Sequence, residues 1–156
     1  MDPSTILAVA IIGFSCGLRA LTGIAVVSWA AFLGYIELSA TTFAFMASPI
    51  TVGVLTVLAV GEYVGDKLPG TPARTALPGL TARVVTGSLS AACILAAAGQ
   101  SVWFFIVGAL TAVAGAFTGF QFRTRAVRSL GTKDIYVALT EDLLTILIAI
   151  LGVSLL

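Results

Sequence analysis

At 156 residues, 59% hydrophobic and 10% charged, with a mean hydropathy of +1.12, the chain has too little charge to cover a water-facing surface. Soluble domains carry about 25% charged residues. A lipid bilayer is therefore the expected solvent, and one transmembrane helical domain over residues 1–156 the expected organisation. The net charge of +1 and the few basic residues exclude nucleic acid as a partner.

Histidine is absent, which removes the commonest transition-metal ligand and the usual neutral-pH proton shuttle. No cofactor is expected. An enzyme is not expected either, because the chain carries no serine–histidine pair and no Gly-rich phosphate loop. Met1-Asp2-Pro3-Ser4 lacks the basic region of a cleavable signal peptide.

In chain order, six apolar segments cover residues 5–18, 22–36, 43–65, 82–98, 103–121 and 135–155. The first two are short against the roughly 20 residues of a normal span. If all six cross, every one of the eight lysines and arginines falls on one side. The positive-inside rule makes that side the cytoplasm and puts both termini outside. The expected fold is thus all-α, a polytopic membrane bundle of about six transmembrane segments. A re-entrant 22–36 segment is the competing arrangement, and it would put Arg19 opposite the other basic residues.

Cys16 and Cys93 lie singly inside apolar runs and read as small packing residues. Gly13 and Gly17, Gly61 and Gly65, and Gly115 and Gly119 are each four apart, a spacing that lets helices approach closely. Packing within one bundle is the first expectation for these faces, and a homo-oligomer through them the second. Trp29, Tyr35, Trp103 and Phe104 mark span ends. Arg19-Ala20-Leu21-Thr22-Gly23 echoes Arg83-Val84-Val85-Thr86-Gly87, and each precedes a span with a glycine-bearing return, which hints at an internal hairpin repeat. Between the spans, Pro69, Gly70, Pro72, Pro78 and Gly79 predict an irregular connector from Lys67 to Arg83. A second basic loop is expected from Phe122 to Asp134. Its Arg123, Arg125 and Arg128 would meet anionic lipid headgroups.

The third segment ends in Gly61-Glu62-Tyr63-Val64-Gly65-Asp66-Lys67-Leu68-Pro69-Gly70. Glu62 and Asp66 are one helical turn apart and share a face. Glu141 and Asp142 lie at the same expected depth in the last segment. Adjacent residues point about 100° apart on a helix, so only one of that pair is expected to face the bundle centre. Ionisable groups at membrane depth are expensive and mark candidate sites. Glu62, Asp66, Lys67, Arg19, Glu141 and Asp142 are therefore the candidate substrate- or ion-binding residues, with Arg83 nearby. No catalytic residue is assigned, and the metal, if any, is unknown.

Ala47-Ser48-Pro49, followed by an apolar helix ending Glu62, Asp66-Lys67 and Pro69, resembles the signature of a family of small bacterial integral membrane proteins with the domain of unknown function 4126. The resemblance covers about residues 47–70 and implies a compact helical membrane protein, with no activity attached. A looser likeness is to calcium/manganese exchangers, whose Glu-x-Gly-Asp-Lys is one residue shorter than Glu62-Tyr63-Val64-Gly65-Asp66-Lys67. Carboxylates without histidine or thiolate suit a hard cation. The leading functional expectation is a small transporter or channel with a carboxylate-lined site open to the cytoplasm, moving a cation or a proton-coupled solute. A non-catalytic scaffold and a lipid-headgroup binder are the alternatives.

Overall fold

A computed structural model describes residues 2–66, 75–130 and 134–156, with the side chains of Leu130 and Asp134 left aside. The described residues are all-helical: α1 (Pro3–Leu18), α2 (Thr22–Phe32), α3 (Pro49–Gly65), α4 (Leu77–Ala97), α5 (Phe105–Leu130) and α6 (Asp134–Val153), with 3₁₀ turns at Ala44–Ala47 and Val102–Phe104. Three stretches are long and apolar enough to cross a membrane: Leu77–Ala97, Val102–Ser129 and Ile135–Val153. The other three helices, of 16, 11 and 17 residues, are apolar but shorter.

Helix α1 is the axis, packed against α4, α5 and α6. Glycine makes that possible. A Cβ on Gly17 would collide with backbone atoms of Ala112, Gly115 and Ala116, and one on Gly115 with the Phe14 carbonyl. Around this seam Val9, Ile12, Cys16, Ala91, Cys93, Ile94 and Leu95 are buried. Cys16 Sγ lies 3.6 Å from Ser90 Oγ, and both cysteines are free.

Several boundaries differ from the sequence reading, each for a local reason. The 22–36 segment stops being helical at Phe32, because Gly34 adopts φ +79° and Tyr35 N–H turns back 2.9 Å to the Ala30 carbonyl. The 43–65 segment becomes α-helical only at Pro49, where Ser48 Oγ accepts the Thr51 N–H at 3.1 Å. The irregular connector expected up to Arg83 is helical from Leu77, since Pro78 sits in the first turn, where its missing N–H costs nothing. The second basic loop is likewise mostly helix: α5 runs through to Leu130, as no Gly or Pro interrupts the chain between Gly119 and Gly131.

The ends of the bundle are distinct. Asp2, Tyr35, Glu37, Gln100 and Leu156 line one pocket, so both termini and the α2 and α4 ends meet there. In that pocket Glu37 is held below the usual carboxylate range by hydrogen bonds from the Ser39 hydroxyl and amide. The opposite end gathers the charged residues.

Candidate functional site

Helix α1 ends at Leu18, and the Arg19-Ala20-Leu21 turn that follows wraps around the carboxyl end of α3. Three successive residues there matter. The backbone amides of Ala20 and Leu21, pointing outward at the start of α2, donate to Glu62 Oε1 at 2.8 Å and Oε2 at 2.9 Å. Both oxygens of one carboxylate thus cap the α2 amino terminus, where backbone donors and the helix dipole favour a negative charge. Glu62 Oε1 also faces Arg83 Nη2 at 3.5 Å.

Arg19 is completely buried. Its guanidinium binds Asp66 through Nη1, lies 2.6 Å from Asp142 Oδ1 and 3.9 Å from Glu141 Oε2 through Nη2, and stacks 5.8 Å from the Tyr63 ring centre. The Nη2–Asp142 approach is off the hydrogen-bond line, so it is an ion pair by proximity. Arg19 Nε finds no acceptor among the described residues. Tyr63 is fixed in turn by Thr22, with the two oxygens 2.7 Å apart. From α4, Arg83 Nε donates to the Gly17 carbonyl at 3.1 Å and Nη1 to the Gly79 carbonyl at 2.9 Å.

The structure therefore brings together Glu62, Asp66, Arg19, Glu141 and Asp142, with Arg83 as a sixth member. Lys67 lies outside the described residues. Contrary to the expectation that only one of Glu141 and Asp142 faces inward, both are buried, and their carboxylates flank the same nitrogen of Arg19, Nη2, at 3.9 and 2.6 Å. Tyr63, Thr22 and the two amides were missed. The tyrosine was findable, since it precedes Asp66 by three residues and so neighbours it on one side of α3's carboxyl end. Arg123, Arg125 and Arg128 lie on α5.

A family model described as domain of unknown function (DUF4126) matches residues 6–155. The chain belongs to that family. Its match extends from α1 through α6, well beyond the 47–70 signature. No curated protein and no solved structure matches this DUF4126 chain. The structure gives the signature residues physical roles: Ser48 and Pro49 start α3, Glu62 caps α2, and Asp66 pairs with Arg19.

Among the described residues the site holds four carboxylates against two guanidiniums. The acids surround the arginines rather than converging on one point, and no group of three metal-ligating side chains forms among the described residues.

Proposed function

We propose that this chain is a small membrane transporter or channel-like protein whose polar site at one end of the bundle moves a cation or a proton-coupled small solute. The observation behind the reading is that, among the described residues, four buried or half-buried acids gather with two arginines at one end of an apolar bundle. Charges kept at that depth are costly unless they serve traffic or hold a partner. In this reading Glu62 and Asp66 on α3 form one wall and Glu141 and Asp142 on α6 the other. Arg19 is the internal counter-ion that an incoming cation displaces, and its unsatisfied Nε is a seat for an oxygen of a solute. Lys67 is assigned the balancing of charge. By the positive-inside rule this end of the bundle faces the cytoplasm of a bacterial inner membrane.

Helix α3 is the element suited to move. It buries only Val52 and Ala59, and its charged end is held by Glu62, Tyr63 and Asp66. Such contacts can be exchanged for water or ligand without opening an apolar seam. The test is flux through the purified protein in liposomes carrying pH- and cation-sensitive dyes. Movement driven by an imposed gradient, abolished in Asp66→Asn and reduced in Glu62→Gln while both variants stay folded, supports the reading. Equal, background-level flux for all three proteins refutes it.

A second reading, a scaffold without transport, is favoured by one observation. Glu62 is fully occupied as a cap on two backbone amides. Under it, Glu62→Gln and Asp66→Asn lower the unfolding temperature and nothing else.

A further inference from the structure

We infer that the carboxyl end of α5 is a docking surface for an anionic phospholipid headgroup, independent of the acid–arginine site. Three observations lead there. First, no Asp or Glu occurs anywhere between Asp66 and Asp134, so the cations on this helix have no acid on their own element. Arg125 and Arg128 are exposed and make no ion pair among the described residues. The helix dipole accounts for Arg128, the only basic residue in the last turn, but not for Arg125 one turn earlier.

Second, the depth is right. At 1.5 Å per residue, about 20 residues span a hydrocarbon core of about 30 Å. Counted from Phe105, where α5 begins, that distance is reached near Thr124. Arg125 and Arg128 therefore fall at the headgroup plane, while exposed Phe120 and Phe122 lie just inside the hydrocarbon.

Third, the surface is shaped and two-sided. Gln121, Arg125 and Ser129 recur every four residues and line a groove with Phe122 and Ala126. A row of polar donors thus runs beside an apolar flank, with Arg128 on its other side. That pattern fits a phosphodiester seated on Arg125 and Arg128 and an acyl chain running down past Phe122. A small soluble anion would use the donors and leave the apolar flank idle.

The experiment uses the full chain in a neutral detergent, titrated with palmitoyl-oleoyl phosphatidylglycerol and read by native mass spectrometry. Bound lipid is expected on the native chain, with phosphatidylcholine binding markedly more weakly. Each arginine is expected to contribute roughly fivefold in affinity, so R125Q/R128Q should fall more than tenfold. R125K/R128K should keep most of the binding, and helix content by circular dichroism should be unchanged in both. Equal affinity of native chain and R125Q/R128Q would overturn the inference. So would equal binding of phosphatidylcholine, or displacement of the lipid by millimolar inorganic phosphate, which would mark a small-anion seat instead.

Discussion

Arg19 ties three elements with one side chain, because its guanidinium meets Asp66 on α3 and both Glu141 and Asp142 on α6. Replacing it with glutamine would strand buried carboxylates in an apolar bundle. Removing one partner of a buried ion pair costs about 3–5 kcal/mol. The expected outcome for Arg19→Gln is a loss of that order in unfolding free energy, measured by denaturant titration in mixed micelles. A value under about 1 kcal/mol would mean that the acids find other partners or water. Glu62→Gln should be milder, because the amide keeps one carbonyl oxygen for Ala20 or Leu21 and leaves one buried donor unsatisfied, at about 1–3 kcal/mol. The acids were legible in the sequence because helical spacing puts Glu62 and Asp66 on one face. Their pairing was not. Arg19 lies 47 residues from Asp66, and nothing in local periodicity says which distant helix end it meets.

Among the helices, glycine separates two kinds of surface. On α1, α4 and α5, Gly13, Gly17, Gly87, Gly108 and Gly115 all lie where an added Cβ would collide with a neighbouring helix. On α3, Gly53, Gly61 and Gly65 meet nothing within 4 Å. Sequence spacing marked Gly61 and Gly65 for close packing just as it marked Gly13 and Gly17, since a pattern shows the face and not its occupant. Gly61→Ala is therefore expected to be neutral or stabilising by about 0.5–1 kcal/mol, through backbone entropy. Gly115→Ala should destabilise by more than about 1 kcal/mol, as two helix backbones must separate. Paired melts of these variants in nanodiscs read the contrast. A strong loss for Gly61→Ala would place another surface, such as a second copy, against α3. Helix boundaries were less legible than helix existence. Pro78, read as part of an irregular connector, instead sits in the first turn of α4, as Pro49 does in α3, and the difference depends on where the preceding cap falls. The Arg19 and Arg83 echo looks different in three dimensions: Arg19 precedes α2, whereas Arg83 lies inside α4. Even so, α2 and α4 both end on a positive-φ glycine, Gly34 and Gly99, and both lead through a 3₁₀ turn into the next helix.

For the whole molecule, the decisive matter is how many helices cross the bilayer. Ideal helices of 16, 11 and 17 residues rise about 24, 16 and 25 Å, all short of a hydrocarbon core of about 30 Å. If only α4, α5 and α6 crossed, an odd number of passes would put the two termini on opposite sides. Asp2 and Leu156 instead line the same pocket at one end of the bundle, while Arg19, Asp66, Arg83 and Asp142 meet at the other. With the bundle axis along the membrane normal, α1, α2 and α3 would then cross with α4–α6, the shortness of α2 and α3 made up by the irregular 33–48 stretch between them, whose Ile36, Leu38 and Met46 are buried. Six passes are therefore expected, with Ser39 and Ser101 on the side of the termini and Thr75 and Ser129 on the opposite, cytoplasmic side. Single cysteines at these four positions, treated in intact cells with a membrane-impermeant maleimide, test this directly. The native Cys16 and Cys93 thiols are fully buried and should stay silent. Labelling of Ser39→Cys and Ser101→Cys, with Thr75→Cys and Ser129→Cys reacting only after permeabilisation, is the predicted pattern. If Ser39→Cys and Ser101→Cys label from different sides, α3 and α4, the two helices between them, do not form a crossing pair. The charged cluster would then not lie at a single water boundary, and the transport proposal would lose its geometry.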